Sequence, residues 1–315
     1  MKKFICKLVW FTIPIVSLFV LGLLIPTTPR ASKSLLFANR QKDELLLHVE
    51  SPRMIFVGGS NLSFGLNSQM IKEELNLNPI NTGVHADIGI RYMLENTIQY
   101  VREGDIIILA LEYSHFYHDY NSGSAELLRT IFDVELSNIR LLNLQQIVGL
   151  IPHVPKYSLS KFRPSEYFNI KESDVYSVNS FNEYGDVYTH WGLEQRKFLS
   201  SSVRGQFNQS VILHILDFQK EIFKKKAILY VTYPGYQDIS YLNSIKQIER
   251  VAIEYKKNGL VTLGCPERYK MPNHMMFNTT YHLNKEGLDH RSRLFIDDYK
   301  RMKLNQARAI FDSRE

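Results

Sequence analysis

Two groups in this chain could do chemistry together: a serine hydroxyl at the end of a short apolar run, and an imidazole far downstream. The run Met54-Ile55-Phe56-Val57 stops at Gly58-Gly59-Ser60-Asn61. Glycine tolerates positive φ and close backbone approach, so this turn can present the Ser60 hydroxyl at the C-terminal edge of a sheet, with free backbone N–H groups beside it. A serine needs a base to act as a nucleophile, and His282, in Tyr281-His282-Leu283-Asn284, is the candidate. Together they could make an activated alcohol, a nucleophile able to form a covalent intermediate. The plainer alternative makes Ser60 an N-cap of the next helix and His282 a structural residue at the start of the last one. His85, His115, His118 and His190 have no metal-ligand spacing. No metal and no cofactor are expected.

The elements that must position these groups follow from periodicity. Met54 to Val57 reads as a buried strand, Ser68 to Asn76 as a helix, Pro79-Ile80-Asn81 as a second strand, and Gly89 to Arg102 as a helix. Asp105 to Leu111 is the clearest buried strand and runs into Glu112. Helix then returns at Val211 to Phe223, strand at Ala227 to Tyr233, helix at Ile239 to Lys257, and a last strand at Leu260 to Leu263. His282 precedes a final helix from about Lys285 to Leu304. Strands alternating with helices of this length predict an α/β fold with a central parallel sheet. The stretch at about 114–205, rich in Tyr, His and Pro, reads as an insertion or cap on the substrate side.

Ahead of the domain, Leu8 to Ile25 is an uncharged run of about 18 residues, the length that spans a hydrocarbon core. Lys2, Lys3 and Lys7 precede it and place the N-terminus inside and the remainder extracytoplasmic. A cleaved signal peptide competes, but its apolar region would be shorter, and Pro26-Thr27-Thr28-Pro29-Arg30 lacks a small-x-small site. An uncleaved signal anchor over 1–28 is therefore expected, with a juxtamembrane segment over 29–52, the α/β domain over 53–304 and a tail over 305–315. The net charge of +6 is spread along the chain, and its one dense basic run, Lys224-Lys225-Lys226, suits a helix C-terminus. Nucleic acid is not an expected partner. Cys6 and Cys265 lie on opposite sides of the apolar run and form no disulfide framework.

With Ser60 and His282 placed, the chain resembles the SGNH/GDSL hydrolase superfamily. More narrowly it resembles the membrane-anchored, extracytoplasmic members that accompany acylation of cell-envelope polysaccharide and teichoic acid. Gly58-Gly59-Ser60-Asn61 matches the nucleophile block and Asn81-Thr82-Gly83 the block whose glycine N–H serves the oxyanion hole. Asn278-Thr279-Thr280-Tyr281-His282 matches the acid and histidine block. The resemblance implies a three-layer α/β/α fold, catalytic Ser60 and His282 with position 278 orienting the imidazole, here Asn278, and oxyanion donors from the N–H groups of Ser60 and Gly83; Asn61, next to the serine, could add a donor in place of the family's asparagine. It also implies an acylated carbohydrate or polyol as substrate, and a membrane-bound acyltransferase as a partner.

Two departures stand out. Glu112 follows the third strand where the superfamily places an asparagine donor, and a carboxylate there repels an oxyanion unless it is protonated. Asn278 stands where close relatives tend to carry aspartate, so it can hold the imidazole but brings no charge. Asp289 or Asp87 could serve instead. Glu112 and Tyr113 are candidate substrate contacts, with Glu112 alternatively paired to an arginine such as Arg91; Tyr117 and Tyr120 suit sugar stacking. Two functions stay open: a membrane-tethered carbohydrate O-acyl esterase or transferase, and a catalytically impaired relative that binds a glycan or an acyltransferase partner.

Overall fold

The computed structural model describes residues 1–312. Four strands, β1 (Arg53–Gly58), β2 (Asn78–Asn81), β3 (Ile106–Ala110) and β4 (Ile228–Val231), form one parallel sheet in the order β2-β1-β3-β4. All six residues of β1 are buried, as a parallel strand covered on both faces requires. Alternation along β1 sends Ile55 and Val57 to one face, where they pack with helices Ile90–Ile98, Gln209–Lys224 and Ile245–Lys257. Met54 and Phe56 go to the other, against helices Ser68–Leu75 and Lys285–Asp312. The protein is thus α/β with a central four-stranded parallel sheet. A two-stranded ribbon, β5 (Tyr236–Gln237) with β6 (Lys270–Met271), lies outside it.

Several boundaries differ from the sequence reading, each for a visible reason. The expected last strand, Leu260 to Leu263, shrinks to a single bridge between Val231 and Thr262, because β4 itself ends at Val231. The helix expected over Ile239 to Lys257 breaks into Asp238–Leu242 and Ile245–Lys257. At the break the Ser244 hydroxyl accepts from the Val203 N–H at 2.9 Å, tying the end of the cap to the domain. The final helix continues past Leu304 to Asp312, so most of the expected tail is helical; residues 313–315 lie outside the described residues.

The segment 29–52, expected as a juxtamembrane helix leading into the domain, packs against the domain core. Its helix Ala38–His48 buries Lys42 and Leu46, and the Lys42 ammonium donates to Asn81 O at 2.8 Å. The cap at 114–205 consists of short helical turns, including Leu144–Leu150 and Val154–Ser160. Their apolar sides share a core with Phe64 and Phe277, both beside the candidate site. At the N-terminus, helix Lys2–Leu24 is long and apolar enough to cross a membrane.

Candidate active site

The sheet order changes direction at β1: the chain steps to β2 on one side and then to β3 on the other. Ligands of open parallel sheets bind in the crevice beyond the strand ends at such a point. Gly58 on β1 is in register with Ala110 on β3, so continuing two residues along each chain brings Ser60 and Glu112 to equivalent places across that crevice. The approach is close. A Cβ on Gly58 would come within 2.3 Å of Ala110 O, and one on Gly59 within 3.0 Å of Glu112 Oε1, so the two glycines allow the turn for steric reasons. Ser60 opens the short helix Ser60–Ser63 and is half-buried.

His282 reaches the same place from the far end of the domain. Its loop closes on itself through an antiparallel bridge between Met276 and Leu283, and Phe277 N–H donates to His282 O at 2.8 Å. The loop is joined to the serine's own segment by Leu283 N–H to Phe64 O at 3.1 Å. The Phe64 ring, four residues beyond Ser60, stacks on the imidazole with centroids 4.1 Å apart and planes 12° from parallel. These contacts fix the ring's plane before any substrate arrives.

The result is a hydrogen-bonded chain. Ser60 Oγ lies 2.9 Å from His282 Nε2, and His282 Nδ1 lies 2.9 Å from Asn278 Oδ1. Asn278 Nδ2 donates to the Tyr176 hydroxyl at 2.5 Å, which sets the amide so that its oxygen faces the ring. The network therefore assigns the proton to Nδ1 and leaves the Nε2 lone pair for the serine proton. Burial holds the His282 pKa down at about 3, with His190 and His85 adding to the effect. The imidazole is neutral at ordinary pH and available as a base. Its protonated form is disfavoured relative to a free histidine by on the order of 5 kcal/mol, chiefly because burial strips the imidazolium of water.

Glu112 closes the other side of the serine. Its Oε1 lies 3.3 Å from Ser60 Oγ and accepts from Asn61 N–H at 3.2 Å. Burial raises its pKa to about 7, the two hydrogen bonds oppose the shift, and Asp87 adds to it. His115 is buried behind it, accepting from Glu112 N–H at 3.1 Å, with Nε2 3.2 Å from Ala86 O. Burial lowers the His115 pKa to about 4, so no imidazolium offsets the carboxylate there. No arginine pairs with Glu112 among the described residues; Arg91, the suggested partner, lies elsewhere on helix Ile90–Ile98.

Other expected site residues are placed differently. Gly83 N–H donates to Asn81 Oδ1 at 3.0 Å, closing a local turn, so it does not point free into the crevice. Asn61 turns its side-chain amide to Ala110 O at 3.0 Å and spends its backbone N–H on Glu112. Of the three expected oxyanion donors, only Ser60 N–H makes no hydrogen bond among the described residues. Tyr113 is not a surface contact: it is 1% exposed, in the core, with its ring edge against Tyr236. Tyr117 donates to Gln247 O, and Tyr120 packs on the rings of His115 and His118. Asp289 is engaged by Lys285 and Asn67, away from the imidazole.

Two contributors, Tyr176 and Phe64, escape sequence reasoning. Phe64 carried a signal, since it follows the serine by one helical turn; Tyr176 sits in the irregular cap and carried none. Among the described residues no three His, Cys, Asp or Glu side chains are grouped to hold a metal. Compared with protein-family models, curated proteins and solved structures, the chain matches none of them.

Proposed function

We propose that this is a membrane-tethered serine esterase or O-acyltransferase of SGNH type, with a three-layer α/β/α domain facing the extracytoplasmic side. Ser60 attacks an ester carbonyl as His282 Nε2 takes its proton; the ester C–O bond breaks with that proton passing to the leaving alcohol, and the acyl group then passes to water or to a sugar hydroxyl, whose proton His282 takes and returns to Ser60. Asn278 holds the imidazole in the tautomer this needs. A small acyl group on a cell-envelope carbohydrate is the substrate class, from the likeness of the nucleophile and histidine blocks. One observation carries the reading: an alcohol and an imidazole from opposite ends of the domain meet at 2.9 Å, with the ring's other nitrogen tied to an amide oxygen. The test is ester turnover by the full chain in detergent, against Ser60→Ala and His282→Ala, with mass spectrometry of Ser60 after fluorophosphonate treatment. Turnover lost in both variants and a label on Ser60 are expected; equal turnover in all three defeats the reading.

A second reading draws on Glu112 and Gly83. With a carboxyl group beside the serine and the Gly83 N–H already bonded, the crevice suits binding of a glycan or an acyltransferase partner without turnover. Full-chain protein that binds an acetylated oligosaccharide but leaves Ser60 unlabelled would favour it.

A further inference from the structure

The last turns of the N-terminal helix are packed against the cap. Ser158 Oγ, on helix Val154–Ser160, donates to Phe19 O at 2.8 Å, and Gly22 is the one buried residue of helix Lys2–Leu24. A Cβ on Gly22 would stand 2.4 Å from Ser158 Cβ, so the two helices touch through their smallest side chains. Beyond the helix, Lys161 reaches Pro26 O at 3.3 Å and Thr28 donates to Glu166 at 2.8 Å. The join has several points and is not a single hinge.

Where these contacts fall along the helix fixes their depth. Counting back from Ile25, the end of the apolar run, Gly22 lies about 4.5 Å and Phe19 about 9 Å into the span at 1.5 Å rise per residue. If this helix crosses the bilayer, helix Val154–Ser160 is carried below the hydrocarbon boundary with it. Interfacial helices lie at about that depth, 5–10 Å into the headgroup and acyl boundary.

The chain around it has the side chains such a place demands. Leu144, Ile147, Val148 and Ile151 recur at i, i+3, i+4 and i+7 along the helical turns leading into Val154–Ser160, and they are 76, 42, 55 and 61% exposed. An apolar stripe of this kind normally faces a core, yet here Gln146 and Leu150 are the buried residues and the stripe points outward. Leu159 and Phe162, just beyond the Ser158 contact, are also exposed. Lys156 and Arg163 stand exposed among them and suit lipid phosphates.

From this we infer that residues 144–163 form a second membrane contact, an apolar platform with a basic edge seated in the outer leaflet beside the anchoring helix. The occupant is lipid, because the stripe runs along the chain directly into helix Val154–Ser160, whose join to helix Lys2–Leu24 lies at that depth. The platform shares its core with Phe64 and Phe277, which flank His282, so it holds the candidate site at a fixed height above the bilayer. The inference rests on the membrane-crossing reading of helix Lys2–Leu24 and is independent of any esterase activity.

The experiment uses the full chain with Cys6→Ser and Cys265→Ser, and single cysteines carrying an environment-sensitive fluorophore at Ile147, Ile151, Leu21 or Leu213. Protein is reconstituted into phosphatidylcholine and phosphatidylglycerol vesicles with and without nitroxide-bearing lipid. About a twofold loss of fluorescence is expected at Ile147 and Ile151, as at Leu21 in the anchoring helix, with no change at Leu213 on helix Gln209–Lys224. Quenching at Leu21 with Ile147 and Ile151 behaving like Leu213 overturns the platform while sparing the anchor. Cross-linking of two copies through Ile147 without lipid quenching makes the stripe a self-association face and also overturns it. No quenching at Leu21 removes anchor and platform together.

Discussion

Glu112 Oε1 stands 3.3 Å from the Ser60 hydroxyl because β1 and β3 run in register and each chain continues two residues past its last paired position. In the proposed acyl transfer the carboxyl would stand within reach of the tetrahedral intermediate formed on Ser60. As a carboxylate it opposes an oxyanion; as a carboxylic acid it can donate a hydrogen bond to one, like other buried acids kept neutral in apolar sites. Which form is present decides what the crevice can do.

The first prediction is a pH dependence of turnover. Glu112 titrates at about 7, while His282, at about 3, remains a neutral base throughout the range above pH 4. Protonated Glu112 predominates below pH 7, so kcat/KM should be highest there and fall by about tenfold per pH unit above it. Glu112→Gln keeps a donor and removes the titration, and its profile should be flat across that interval. If the wild-type and Glu112→Gln profiles share the same alkaline fall, Glu112 is not the group responsible.

A second prediction concerns stability. The folded-state pKa of Glu112 is raised from 4.5 to about 7, so the folded protein binds more protons than the unfolded chain between those values. Stability then falls as pH rises through that window, reaching a penalty on the order of 3 kcal/mol above pH 7. Glu112→Gln escapes the penalty. Denaturant midpoints of the two proteins should coincide near pH 4 and diverge in favour of the variant at pH 8; an equal difference at both pH values would mean the carboxyl is not being protonated on folding.

Asn278 supplies the third. It orients the imidazole at 2.9 Å without neutralising the charge that forms on it. Asn278→Asp puts a carboxylate at the same atom, which should stabilise the imidazolium and raise kcat on an activated ester by about tenfold or more. The His282 pKa should rise with it, so a loss of activity on the acid side should appear near pH 5 to 6 where the parent shows none. A variant no faster than the parent, with no new acid limb, would show that proton transfer to His282 does not limit the rate.

How much of this the sequence disclosed depends on the kind of constraint. Buried parallel strands announce themselves as unbroken apolar runs, which is why β1 and β3 could be located to within a residue or so. Ser60 and His282 were legible because Gly58-Gly59 and the final helix bracket them. Spacing leaves Gly83 open between a donor and a plain turn, because the claim on its N–H by a side chain two residues back is a local competition that spacing does not reveal. Tyr113 was misread as a contact because an aromatic just beyond a strand end can turn outward or into the core, and here Tyr236 and Tyr281 draw it in. The segment 29–52 reads as a juxtamembrane lead-in because its composition is polar, yet Lys42 is buried against carbonyl oxygens that belong to distant parts of the chain.

The last prediction tests what holds the strand entrances together below the site. Arg53, the first residue of β1, is fully buried and donates to Asp105 at 2.9 Å, to Leu46 O at 2.6 Å and to Tyr100 O at 2.8 Å. Asp105 precedes β3, is also fully buried, and accepts from Arg102 N–H at 2.7 Å. The pair thus clamps β1, β3 and helix Ala38–His48 at the end of the sheet opposite Ser60. Removing one charge leaves the other desolvated without a partner, so Asp105→Asn should cost about 3–5 kcal/mol of unfolding free energy. Replacing both, as Arg53→Met with Asp105→Leu, removes the stranded charge and should recover most of that loss. If the single and double variants unfold at the same denaturant concentration, the clamp contributes through shape and not through paired charge.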